Sequence, residues 1–235
     1  MSNITFVYCF SKKLSANEEQ YAVILELLGE SINLLSQQFN YKIITDEYTY
    51  DDVSKFTDNI EIVDTDSFVF TDDFKVYLLP KLLENEIIVD PDIFIKRKLD
   101  ISLHPSLIFD YKDSPNNDWY TENLDKLKGT ALYSRIKSAG EIPFVPNIGF
   151  FKMDNLELRR EFCEDYYEYR SEIVEKFKDD PNQFNLLLCQ YLLGVFLHEK
   201  KYPYFSVRSV NTGKVYVHLA GPQKYEKLNR QKSVI

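Results

Sequence analysis

Two aspartates one residue apart, Asp90 and Asp92, follow a short β-branched run, Ile87-Ile88-Val89, with Pro91 between them. Three adjacent apolar residues with no polar interruption suit a strand buried on both faces of a mostly parallel sheet. In open α/β sheets the ligand lies outside the carboxyl ends of the strands. Both carboxylates are therefore expected there, on a turn stiffened by proline. Paired hard oxygen donors suit Mg²⁺ or Mn²⁺, and such an ion can neutralise a diphosphate as it leaves. The pair also fits a solvated turn or a helix cap, since a chain with 37 acidic residues offers Asp-x-Asp by chance. Asp64-Thr65-Asp66 is a second such pair, again after an apolar run (Ile60, Ile62, Val63).

Near the C-terminus, His218-Leu219-Ala220-Gly221-Pro222-Gln223-Lys224 ends the last expected strand. An imidazole can ligate a divalent ion, Gly221 lets backbone approach a pyrophosphate, and Lys224 supplies a point charge for phosphate. Each residue alone also has an ordinary structural reading.

The elements that must position these groups follow the alternation of an α/β sheet. Ile4 to Phe10 reads as a strand. A helix opens at the capping-box pattern Ser15-Ala16-Asn17-Glu18, with Tyr21, Ile24, Leu25, Leu28, Ile32, Leu35 and Phe39 at helical spacing. Strands over 41–45 and 60–63 come next, then a helix over 72–83 that Pro80 should kink or shorten. From 100 to 140 the pattern is weak, and Ser114 to Trp119 has loop composition. The run 142–153 reads as an irregular strand in which Gly149 permits close approach. Asp154 is expected to cap a long amphipathic helix, and an almost wholly apolar helix over 183–199 should be buried. Two strands, 204–207 and 215–219, are expected to join around Asn211-Thr212-Gly213.

At 235 residues the chain suits one α/β domain: a nucleotide-binding half (1–95), a sugar and acceptor half (96–227) and a flexible tail (228–235). With 44% hydrophobic and 28% charged residues it is a globular composition, not a disordered one. Tyrosine and phenylalanine, 17 each against 7 glycines, suit sugar or base stacking and, as the favoured reading, a core of large residues. A net charge of −9 argues against a partner held by its phosphate backbone, as nucleic acid is. Three dispersed cysteines, Cys9, Cys163 and Cys189, form neither a disulfide framework nor a zinc pattern, which suits a reducing, cytoplasmic setting. No run is long and apolar enough for a membrane span or signal peptide.

Taken in order, Asp90-x-Asp92, Asn147-x-Gly149, Gln190 and His218-x-x-Gly221-x-x-Lys224 resemble the metal-dependent glycosyltransferases of the GT-A fold. The likeness is to the glycogenin and lipopolysaccharide galactosyltransferase group, and it runs from Ile4 to Lys227. Asp73-Phe74-Lys75-Val76-Tyr77 also looks like that family's helix before its Asp-x-Asp strand. The resemblance implies a single GT-A-like, Rossmann-like domain with a mostly parallel central sheet flanked by helices. It implies Asp90, Asp92 and His218 as ligands of Mn²⁺ (or Mg²⁺), and Lys224, with Gly221, on the donor diphosphate. Asn147 and Gln190 would lie near the sugar as the catalytic residues, Lys75 and Gly149 would help bind the donor, and Val7, Tyr8, Cys9 and Phe10 would receive a nucleoside, uridine. It further implies retaining transfer from a UDP-sugar to a hydroxyl of a glycan, lipid-linked sugar or protein. It selects Asp90 and Asp92 over Asp64 and Asp66. Two departures stand out: Cys189 where the family has an acidic residue, and Tyr225-Glu226-Lys227 in place of its aromatic ending. A catalytically silent sugar-nucleotide binder on the same fold and a nucleotidyltransferase are the competing readings. Against the second, only Ser11-Lys12-Lys13 follows the first strand, with no glycine-rich phosphate loop.

Overall fold

The computed structural model describes residues 4–15, 17–97, 99, 101, 107–211 and 213–219. The first half of the chain forms β1 (Thr5–Cys9), α1 (Glu18–Leu35), β2 (Asn40–Thr45), α2 (Glu47–Val53), β3 (Ile60–Ile62), α3 (Asp73–Leu78), β4 (Glu86–Val89), β5 (Ile93–Ile95), β6 (Leu107–Phe109) and β7 (Lys112–Asp113). The second half forms α4 (Asp118–Lys126), α5 (Ala131–Ala139), β8 (Val145–Pro146), β9 (Phe150–Met153), α6 (Leu156–Lys176), α7 (Leu192–Lys200), β10 (Phe205–Ser206), α8 (Val207–Val210) and β11 (Tyr216–His218). Strands alternate with helices and pair mostly in parallel, so the chain is α/β, as its sequence predicts. It divides into two compact units. One comprises Met1–Ser67, Asn85–Leu103 and Arg208–Ile235; the other comprises Phe68–Glu84 and His104–Val207.

In the first unit β4, β1, β2 and β3 lie side by side, all parallel. Tyr8 is level with Val89 and Cys9 with Ile44, so the carboxyl ends of three strands share one edge. The β-branched run of β4 is buried throughout, as are Phe6, Val7 and Tyr8 of β1. Each such side chain contributes roughly 1.5–3 kcal/mol on leaving water. Helix α1 starts later than its capping-box pattern suggests: the cap is Asn17, whose carboxamide oxygen accepts the Gln20 N–H at 2.8 Å. Asparagine reaches that amide as well as serine does, so the box pattern does not discriminate between them. Along α1, Tyr21, Leu28, Ile32 and Leu35 are buried as the spacing requires. A further row, Val23 and Leu27, packs with Phe94 of β5, and Leu34 and Leu219 close the same cluster.

Strand β5 pairs antiparallel with β11, with Ile93 opposite His218 and Ile95 opposite Tyr216. The two strands expected near the C-terminus do not pair with each other. Strand β10 pairs instead with β6, β11 with β5, and α8 intervenes. Hydrogen-bonding partners elsewhere in the chain decide the pairing of both strands.

In the second unit β10 runs parallel to β6, β6 antiparallel to β9, and β7 and β8 form a short ribbon. Pro80 acts as expected: α3 ends at Leu78 and gives way to a 3₁₀ turn, Leu79–Lys81. The stretch with weak pattern holds β6, β7, α4 and α5. Asn117 caps α4 and Thr130 caps α5 through side-chain oxygens, so the loop ending at Trp119 already contains a helix start. The cap of α6 is Asn155, accepting from Glu157 and Leu158 at 3.0 Å each, while the expected cap Asp154 pairs with Lys152. The apolar helix expected over 183–199 is broken into a 3₁₀ turn (Pro181–Phe184), a π-helical turn (Leu187–Tyr191) and α7.

Arg159 in α6 is 2% exposed, and its guanidinium donates to the carbonyls of Leu79 (3.1 Å), Leu82 (2.9 Å) and Met153. It thereby satisfies carbonyls left open where α3 and its 3₁₀ extension stop. Arg159→Ala strands buried acceptors that cost about 1–3 kcal/mol each. Urea denaturation should show a loss of about 3 kcal/mol or more, and a change under about 1 kcal/mol would contradict this role.

Candidate metal centre

Strand β4 ends at Val89, and the chain turns at once: the Ile93 N–H donates to the Asp90 carbonyl at 3.2 Å. Pro91 lies inside that turn, where its fixed φ favours the bend. Asp90 and Asp92 thus bracket a rigid corner between two buried strands. From the far end of the chain, β11 pairs with β5, and the Leu219 N–H donates to the Asp92 carbonyl at 3.1 Å. That register sets His218 beside Asp92, with Nε2 3.4 Å from Oδ1. One ligand atom from each of Asp90, Asp92 and His218 lies within 4.8 Å of the others. Asp92 is 5% and His218 7% exposed, while Asp90 is half-buried and gives the cluster its approach from solvent.

Two carboxylates and an imidazole converging in this way are a donor set for a divalent cation. Oxygen donors suit Mn²⁺ or Mg²⁺, and the single imidazole tilts the set toward Mn²⁺. The corner is also braced from behind. The Ser31 hydroxyl of α1 donates to the Ile93 carbonyl and shares a 2.7 Å hydrogen bond with the Tyr8 hydroxyl. Nothing in the sequence pattern singled out Ser31, a small polar residue on a helix face otherwise read as apolar.

The other pair, Asp64 and Asp66, does different work. The Asp64 side chain accepts the Asp66 N–H at 2.8 Å, an Asx turn, and Asp66 is ion-paired with Lys13 at 2.8 Å. Between them Thr65 is buried and donates to Asp46 at 3.0 Å. Asp46, 2% exposed, also accepts from Ser11 and from Thr49 (2.6 Å), so three hydroxyls satisfy its carboxylate. This knot ties the carboxyl ends of β1, β2 and β3, and a cavity of about 420 Å³ opens beside it. Sequence reasoning missed it because its members, one carboxylate and three hydroxyl residues, are scattered along the chain.

Of the residues expected to take the nucleoside, Val7 and Tyr8 are wholly buried, and Phe10 stacks on Tyr21 (5.3 Å between rings). Their side chains are core, and of this strand end Cys9 alone is half-buried rather than buried. In the second unit, Lys75 is 8% exposed and lies 3.4 Å from Asp72 and 3.3 Å from the Ile148 carbonyl. Asn185 holds the other Asp72 oxygen at 3.0 Å. Asn147 is half-buried and accepts the Gly149 N–H at 3.0 Å, fixing the bend between β8 and β9. Gln190 sits in the π-helical turn and is 6% exposed. Short π-helical insertions occur frequently at functional sites. Gly221 and Lys224 lie outside the described residues.

No protein-family model matches the chain, and comparison with curated proteins finds no match. Solved structures do resemble it. The galactosyltransferase LgtC, in complex with donor and acceptor sugar analogues, aligns over 80% of this chain and 71% of its own, at 13% identity and TM-score 0.43. The glycosyltransferase GlyE of Streptococcus pneumoniae TIGR4 aligns over 88% and 45% of the two chains, at 12% identity and TM-score 0.45. CTP:phosphocholine cytidylyltransferase (LicC) from Streptococcus pneumoniae aligns over 97% and 99%, at 11% identity and TM-score 0.49. Among the described residues, no helix is long and apolar enough to cross a membrane.

The two aspartate pairs separate cleanly by experiment. Asp92→Asn and His218→Ala should each weaken Mn²⁺ binding by tenfold or more in calorimetric titration, with far-ultraviolet circular dichroism unchanged. Asp66→Asn, which loses only an exposed ion pair, should bind Mn²⁺ like the wild type. The opposite ranking would place the ion elsewhere. The thiols give an independent check on burial. Burial pushes the Cys163 thiol up to about 12. Burial, reinforced by the Asp72 charge and offset in part by Lys75, raises that of fully enclosed Cys189 as well. At pH 8 a thiol reagent should therefore label Cys9 alone in the native protein and all three cysteines after denaturation.

Proposed function

We propose that this protein transfers a sugar from a nucleoside diphosphate sugar, a UDP-sugar, to a hydroxyl of a glycan, lipid-linked sugar or protein side chain. The observation that supports this reading is the convergence of Asp90, Asp92 and His218 at the carboxyl end of a parallel strand. These three side chains would hold the cation, with the turn at Pro91 and the β5–β11 register fixing their directions. A bound Mn²⁺ supplies positive charge against the departing diphosphate.

The chain's own groups carry the rest of the reading. The strand end at Cys9 to Ser11 would take the nucleoside by its backbone, and Lys224, with Gly221, would meet the diphosphate. Gln190, in the π-helical turn and 6% exposed, would hydrogen-bond a sugar hydroxyl through its carboxamide. Asn147 and Lys75 would complete the polar surroundings of the sugar. Cys189 lies fully buried beside Gln190 with its thiol held neutral, so a covalent glycosyl intermediate on that residue is disfavoured. Retention of configuration then fits a route in which the leaving phosphate accepts the acceptor's proton on the same sugar face.

Incubation with a panel of UDP-sugars and Mn²⁺ should release UDP, and Asp92→Asn should abolish the release. Gln190→Ala should lower kcat by at least tenfold with Mn²⁺ affinity unchanged. Sugar-nucleotide binding without turnover across donors and acceptors would mark a silent binding module. Pyrophosphate formed from a nucleoside triphosphate would replace sugar transfer with nucleotidyl transfer.

A further inference from the structure

A cavity of about 440 Å³ lies against the cluster, lined by Arg208, Asn211, Tyr216 and His218 among others. Its volume falls within the roughly 300–1,000 Å³ of small-molecule sites. His218 belongs to both the cavity wall and the carboxylate cluster, so a ligand seated in the cavity abuts a residue of the metal centre. Arg208 is the one Lys or Arg side chain among the described lining residues. It belongs to the four-residue helix α8, and its side chain is exposed on the cavity wall.

Charge balance says what that guanidinium would meet. Two aspartates cancel one divalent cation, and a neutral imidazole adds nothing, so the loaded centre is close to neutral. A diphosphate arriving there brings further negative charge, which a near-neutral centre in partly buried surroundings does not offset. A guanidinium is suited to this because its planar fork matches two phosphate oxygens at once and stays charged at any physiological pH. We infer that Arg208 binds the diphosphate of the nucleotide, supplying from the cavity wall the positive charge that the Asp90–Asp92–His218 centre lacks. This rests on the sugar-nucleotide reading of the same centre.

The test is titration of UDP, inorganic pyrophosphate and uridine into the full chain at saturating Mn²⁺. Arg208→Gln should raise Kd for UDP and pyrophosphate by roughly tenfold or more, as loss of a charge-assisted hydrogen bond does. Uridine and Mn²⁺ affinities should stay at wild-type values, and Arg208→Lys, keeping the charge without the fork, should fall between. UDP affinity within twofold of wild type in Arg208→Gln would overturn the inference. So would an equal loss for uridine, or a parallel loss of Mn²⁺ binding, either of which marks a structural role. If Arg208→Gln does not fold, Arg208→Lys alone decides, since wild-type pyrophosphate affinity there refutes bidentate contact. Wild-type protein that binds Mn²⁺ and pyrophosphate but not UDP would sink the sugar-nucleotide reading while still reporting on Arg208.

Discussion

The antiparallel pairing of β5 with β11 is the interaction on which the candidate centre depends. Asp90 and Asp92 are fixed by a tight corner that local sequence can encode, but the imidazole comes from the other end of the chain. A slip of one residue in that register would send the His218 side chain to the opposite face of the ribbon. The hydrogen bond from the Leu219 amide to the Asp92 carbonyl, together with the packing of Phe94 and Leu219 on α1, holds the register in place.

Two other buried carboxylates, Asp46 and Asp73, are surrounded by donors. Asp46 has three hydroxyls, and Asp73 has a bidentate guanidinium from Arg170, the Tyr166 hydroxyl and two backbone amides. Such knots remove the desolvation penalty and fix loop ends. At Asp90 and Asp92 the chain brings two like charges and an imidazole together. Close carboxylates repel in a site of low dielectric, and a divalent cation is the simplest species that turns the repulsion into attraction.

Much of this was legible from residue order. The all-apolar run of β4, the helical spacing of α1 and the break at Pro80 each rest on a local rule that the surroundings reinforce. The Asp-x-Asp and histidine pattern predicted which side chains should meet, and geometry puts them together. What escaped notice depends on partners distant in sequence. The partners of β10 and β11, the hydroxyl knot at Asp46, the brace at Ser31 and the clamp of Asn185 on Asp72 all join segments with no shared periodicity. The strands and helices between 107 and 139 were hidden for a different reason, being short and started by single capping side chains. Val7 and Tyr8 show the limit of carrying a role from motif order alone, since their side chains lie inside the core.

The π-helical turn at Leu187–Tyr191 sets conformational economy against aim. Relative to an uninterrupted α-helix it carries one surplus residue, which rotates everything beyond it by about 100° around the axis. Excising that residue would leave a smoother, better hydrogen-bonded rod, yet Gln190 would swing to a different face. Selection for helix regularity at this point would therefore work against the orientation of the Gln190 carboxamide, and the irregularity is itself part of what the fold has to keep.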